Sequence, residues 1–163
     1  MGVPTPIIGQ YVYNLFNRSI EAGLCTVANN KGLKLFTYYP LAQGVLTGKY
    51  VKKINDSRIN DSVFKHCMWD LTKEKILLSA EFKSYCDKNN IDNIGLSYLW
   101  CLRNLSVGSI ITNVRNKEQL YHNINCLKSD FNSEIRSNLD KIFKNKPINQ
   151  YTGIQHEIDE RKL

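Results

Sequence analysis

The chain has 163 residues, of which 42% are apolar and 23% charged, with a net charge of +7. That suffices for one domain with a true core, is short for two, and excludes global disorder. Lys and Arg are dispersed and form no basic-aromatic motif, so the charge suits a polyphosphate ligand or an acidic partner better than nucleic acid.

Thr5 to Gln10 follows prolines and reads as a strand, with Tyr11 to Phe16 as the loop after it. Arg18 to Asn30 is expected to be a helix, stopped at Lys31-Gly32. Lys34 to Tyr39 is rich in β-formers and halted by Pro40, which predicts a second strand. Leu41 to Lys65 is a long excursion with turn signals at Gly44, Gly48 and Asn55-Asp56-Ser57. Loops of that length are commonly functional. Leu71, Leu78, Phe82 and Tyr85 recur at helical spacing, which predicts a helix over 70–88. Ile94 to Arg103 is apolar nearly all round and reads as a buried helix, and Val107 to Thr112 as a third strand. Leu120, Ile124 and Leu127 mark another helix, and Ile135, Leu139, Ile142 and Phe143 a last one before the polar tail.

Strands alternating with helices imply parallel β/α units. Three such strands cannot close a barrel and leave two open edges. The isolated chain is therefore expected to be sticky, oligomeric or dependent on a partner.

The five cysteines, Cys25, Cys67, Cys86, Cys101 and Cys126, are scattered and odd in number, as expected of reduced thiols. The three histidines show no evident metal-ligand spacing to them, so no metal site is expected. No apolar run is long enough to span a bilayer, and the first residues lack signal-peptide character and the myristoylation pattern. A cytoplasmic protein is the expectation.

Three stretches carry a resemblance. Gln10-Tyr11-Val12-Tyr13-Asn14-Leu15-Phe16, then Tyr38-Tyr39-Pro40-Leu41-Ala42-Gln43-Gly44-Val45-Leu46-Thr47-Gly48-Lys49, then Ile110 to Leu120 with Asn123 resemble the sixth-, seventh- and eighth-strand segments of the aldo-keto reductase family. Trp100-Cys101-Leu102-Arg103-Asn104, with Asn145-Lys146-Pro147, is similar to that family's voltage-gated potassium-channel β-subunit branch. The resemblance implies an α/β fold. It would be a partial (β/α)8 TIM barrel of about the last three strands, over residues 4–147, with 148–163 as a polar tail.

It also implies an NADP(H) site. By resemblance, Gln10 would hydrogen-bond the nicotinamide carboxamide and Tyr38 would stack on the nicotinamide ring. Tyr39, Leu41 and Gln43 would line the pyrophosphate groove, with Lys49 and Arg58 as cationic clamps. Arg115 would meet the adenosine 2′-phosphate, and Gln119 and Asn123 the adenine and ribose. Read singly, these residues have plainer uses: Gln119 could complete a capping box with Asn116, and one of Tyr38 and Tyr39 should pack inward by strand alternation.

The chain departs from the family pattern at three positions. Tyr39 stands for a small Ser and is expected to crowd the groove. Asn113 stands for Gly, and His122 for a Glu of the channel-subunit branch. The family's proton-donor Tyr and its Lys, Asp and His partners belong to the first barrel half, so no catalytic residue is expected here and no self-sufficient reductase. The resemblance further implies an NADP(H)-sensing partner of a channel α subunit, or an inactive remnant, as alternatives to an oxidoreductase fragment completed by a missing N-terminal half or by a homo-oligomer.

Overall fold

In the computed structural model, residue 4, residues 6–53 and residues 70–143 are described. Arg58, the predicted long-loop residues from 54 onward and the polar tail lie outside them. Three strands form one sheet in the order β1 (Ile8–Val12), β2 (Lys34–Tyr38), β3 (Val107–Ile111), all parallel. The chain is thus a mixed α/β protein.

β1 begins and ends later than the sequence reading had it, since Tyr11 and Val12 pair with Thr37 and Tyr38. Proline at positions 4 and 6 keeps the ladder from starting earlier, because it offers no N–H. The first crossover is two pieces, a 3-10 turn at Ser19–Ala22 and α1 (Leu24–Lys31). They are split at Gly23, whose φ of 154 no helix accommodates. Gly32 closes α1 in the left-handed region, as its sequence position suggested.

α2 (Lys73–Lys88) starts at Thr72, whose side chain accepts from the Lys75 N–H. α3 (Asn93–Leu102) starts the same way at Asp92, which accepts from Gly95 N–H. α4 (Lys117–Cys126) starts at Asn116 and α5 (Ser133–Phe143) follows it. The core gathers where α2, α3 and α5 meet the sheet and the turn after β1. Phe143 stacks edge-on with Phe16 and Phe82, and Tyr13 lies 4.8 Å from Trp100.

The register divides the sheet into unequal faces. Leu35, Thr37 and Val107 share one face and are buried. Gln10, Phe36, Tyr38, Ser109 and Ile111 share the other and are half-buried or exposed. Parallel sheets ordinarily have both faces covered. Here most of the second is uncovered among the described residues, Val12 at the end of β1 being buried. Apolar side chains are also exposed at the β1 edge (Ile7, Ile8, Tyr11) and on α4 (Leu120, Tyr121, Ile124). The apolar spacing thus located α4 correctly, but that stripe is not buried.

Unpaired strand edges and apolar patches drive association. The isolated chain at micromolar concentration should therefore scatter light as oligomers or aggregates. Ile124→Glu together with Leu120→Lys should reduce that association. A monodisperse wild-type monomer would show that these surfaces are harmless.

Candidate functional site

The C-terminal ends of parallel strands are where β/α proteins hold ligands. At the ends of β2 and β3 the chain forms a trough of about 880 Å³, within the range of small-molecule sites. One wall is the segment following β2. It turns sharply because Tyr39, Ala42, Gln43 and Gly44 all have positive φ, between 49° and 86°. For residues with a side chain this costs about 1–2 kcal/mol each, so surrounding structure must enforce it.

That support can be traced bond by bond. Asn14, fully buried after β1, donates from Nδ2 to the Tyr39 carbonyl at 2.9 Å. Its Oδ1 meanwhile accepts from the Phe16 and Asn17 N–H groups. Gln43 Oε1 accepts from the Asp70 N–H at 3.1 Å. Ser79 of α2 donates to the Val45 carbonyl at 2.6 Å, and Asn93 of α3 donates to that of Leu46 at 2.7 Å. The loop's conformation is thus held by the protein's own hydrogen bonds.

Eight of the ten residues nominated from sequence line this one trough: Tyr38, Tyr39, Leu41, Gln43, Lys49, Arg115, Gln119 and Asn123. Gln10 does not. It pairs with Phe36, two residues before the strand end, which is about 7 Å short of the Val12 level. Arg58 lies outside the described residues.

The alternation argument for the two tyrosines fails for a local reason. Tyr39 is past the end of β2 and its φ of 58° turns it out of strand geometry, so both rings line the trough, in edge contact at 5.0 Å. Lys49 lies across Gly44, where a Cβ would stand 2.7 Å from its Nζ. Gly44 therefore supplies both the positive φ and the room.

Opposite, β3 runs into Thr112, Asn113 and the start of α4. Asn116 Oδ1 accepts from the Gln119 N–H, and Gln119 Oε1 accepts from the Arg115 N–H, each at 2.9 Å. Gln119 thus closes the helix start through Arg115 rather than through Asn116, a variant of the capping box. It also holds the Arg115 backbone at the trough's edge. A helix N-terminus flanked by Arg115 and facing Lys49 favours an anion.

Ile94, Tyr98 and Thr112 line the trough without having been nominated from sequence, and Asn113 and His122, singled out there as departures from the family pattern, line it too. Tyr98 is buried, and its hydroxyl shares a 2.9 Å hydrogen bond with Thr112. Burial pushes its pKa up. The available signal was a tyrosine in an otherwise apolar helix. The expectation of no metal-ligand spacing also needs correcting. His122 and Cys126 are four residues apart on α4, hence on one face, and Asp92 joins them across the α3–α4 contact.

The Trp100-to-Asn104 string is internal. Trp100 is buried, Cys101 donates to the Tyr13 carbonyl, and Asn104 reaches Cys25 Sγ and Tyr13. Trp100 and Cys101 thus build the core, and Leu102, Arg103 and Asn104 are half-buried beside it.

Among the described residues no helix is long and apolar enough to cross a membrane. Comparison with known proteins matches residues 1–144 to the model of the "Aldo/keto reductase family". The chain is 32% identical over 123 residues to an Arabidopsis thaliana protein named "Probable voltage-gated potassium channel subunit beta", covering 73% of this chain and 38% of that protein. It is 30% identical over 148 residues to an Oryza sativa subsp. japonica protein of the same name, covering 87% of this chain and 45% of that one. The chain therefore spans less than half the length of the curated relatives it matches. With the family model matching residues 1–144, the chain belongs to the aldo/keto reductase family.

Proposed function

We propose that this chain provides the NADP(H)-binding part of an aldo-keto reductase barrel, without the family's catalytic tetrad. One observation carries the reading: Tyr38, Lys49, Arg115 and Asn123, nominated from two segments more than sixty residues apart, line a single trough at the C-terminal ends of parallel strands. The uncovered sheet face supports the barrel, because the remaining strands of a (β/α)8 closure would cover it. In this reading the domain runs over residues 4–147.

The residues suit a dinucleotide. Tyr38 offers an aromatic face to the nicotinamide. Lys49 and the α4 N-terminus meet the phosphates, and Arg115 meets the 2′-phosphate that distinguishes NADP from NAD. Gln119 and Asn123 border the adenine end, Leu41 and Gln43 form the wall, and Arg58, outside the described residues, is proposed from the resemblance alone as a further clamp. Gln10 contacts the carboxamide only if the trough extends down the sheet face it shares with Tyr38.

The bound cofactor would supply hydride to a carbonyl substrate. The acid that protonates the carbonyl must reach its oxygen, and in this reading it comes from outside these 163 residues. That source is an N-terminal half or another subunit, in the cytoplasm. By itself the chain then binds nucleotide without turnover.

The test is NADPH titration followed by nucleotide fluorescence, with NADH for comparison. Arg115→Ala removes a charge-assisted contact of about 1.5–3 kcal/mol, so binding of NADPH should weaken about 10- to 100-fold and preference over NADH should vanish. Tyr39→Ser should tighten binding by clearing the groove. Absence of binding in both wild type and Tyr39→Ser would overturn the reading and leave a remnant without cofactor.

The names of the two plant relatives favour a second reading, a regulatory module on a potassium-channel α subunit. Co-purification with a channel's cytoplasmic domain, dependent on NADPH, would support it.

A further inference from the structure

The contact between α3 and α4 brings together three side chains of the types that bind transition metals. One ligand atom each from Asp92, His122 and Cys126 lies within 4.8 Å of the other two. His122 Nε2 is 3.2 Å from Asp92 Oδ2. No other group of three such residues occurs among the described residues.

We propose that Asp92, His122 and Cys126 form a site for a borderline-soft divalent cation of the zinc class. A mixed sulfur, nitrogen and oxygen donor set selects such an ion over magnesium or calcium, which take oxygen ligands. Tetrahedral zinc holds its ligands about 2.0–2.3 Å away, and so about 3.3–3.8 Å from one another. The present spacing needs a contraction of about 1 Å at its widest separation, within the reach of side-chain rotation.

Two features make this more than a chance meeting on a surface. Asp92 is fixed: its Oδ2 accepts from the Gly95 N–H at 2.8 Å as the cap of α3. Such a second partner orients a ligating carboxylate. Gly95 itself is what allows the approach. A Cβ there would stand 2.7 Å from the Cys126 Cβ, 2.9 Å from the Cys126 carbonyl and 3.0 Å from Asp92 Oδ2. Glycine at this position lets α4 press against the α3 N-terminus with Cys126 directly beside the carboxylate.

The thiol is buried, and it donates to the Asn123 carbonyl at 3.1 Å in the metal-free arrangement. The cation would displace that proton, so binding should release it and strengthen with rising pH. His122 is half exposed, at 49%, and also lines the trough. The three side chains leave the fourth coordination position to water or a ligand's donor atom. The site depends on α3 and α4 alone and stands whether or not the trough holds a dinucleotide.

Cobalt(II) is the probe, because a bound thiolate gives it an intense charge-transfer absorption. Titrating the full reduced chain should give that band at one equivalent, and zinc should displace it. Cys126→Ser should abolish the band although four other cysteines remain. His122→Ala, a substitution at a half-exposed position that leaves the fold intact, should weaken cobalt binding more than about tenfold, the least expected when a direct ligand is lost. Zinc should raise the melting temperature of the wild type and not that of His122→Ala. A band of equal strength in wild type and Cys126→Ser would assign the metal to other thiols and overturn the site. So would no band at millimolar cobalt, or an unchanged affinity in His122→Ala.

Discussion

Lys75→Met is expected to destabilise the fold by about 3–5 kcal/mol, a large share of the whole stability of a domain this size. Lys75 and Asp70 form an ion pair at 2.5 Å, with side chains 3% and 0% exposed. The second Asp70 oxygen, Oδ2, has no hydrogen-bond partner among the described residues. The ammonium also lies 5.7 Å from the centre of the Phe16 ring. Removing the lysine strands a carboxylate in the core, which costs more than the pair itself contributes.

The sign of the pH dependence follows from Asp70. Burial pushes its carboxyl pKa up, and Lys75 opposes that. A raised carboxyl pKa means the ionised form is disfavoured in the fold. The resulting penalty is absent below the unfolded pKa and grows as pH rises through the folded one. Without Lys75 the folded pKa climbs further. The deficit of Lys75→Met should therefore be full at neutral pH and shrink as pH falls towards about 4, the ordinary carboxylate range. Urea unfolding of both proteins at the two pH values measures this. The double variant Lys75→Met with Asp70→Leu should recover most of the loss. Equal stability of wild type and Lys75→Met would mean that the pair is open to water. The effect reaches the trough too, since the Asp70 N–H holds the Gln43 side chain.

Trp100→Ala should cost about 3–5 kcal/mol through the cavity it leaves. The indole is completely buried against Tyr13, and two guanidinium groups approach its ring: Arg103 at 4.8 Å and Arg18 at 5.4 Å. Both arginines are paired with Glu21, so the cations are held over the ring by an anion that also accepts from the Tyr13 hydroxyl. Each cation–π contact contributes about 0.5–2 kcal/mol. Trp100→Phe keeps an aromatic and most of the volume, so its loss should be clearly smaller. Circular dichroism against urea, read as a shifted midpoint at constant slope, separates the two. A loss below about 1 kcal/mol for Trp100→Ala would mean that the core collapses into the gap.

The sequence by itself located the three parallel strands and the helices between them, because apolar periodicity and Gly or Pro stops act locally. It also nominated Tyr38, Lys49 and Arg115 through resemblance, the motifs keeping their order along the chain. Boundaries moved where neighbours intervened: β1 extends through Tyr11 and Val12 because Thr37 and Tyr38 are there to pair with them. Other properties belonged to the tertiary structure alone. The left-handed turn at Tyr39 exists because Asn14, Ser79 and Asn93 hold its loop from three separate elements. Trp100 and Cys101 proved to be core and the rest of that string half-buried, since burial depends on what packs over a residue. Asp92 came to lie beside His122 and Cys126 only through the close approach that Gly95 permits. Spacing along a chain reports what one helix or strand can present. Which groups meet across elements, and at what distance, is decided by packing.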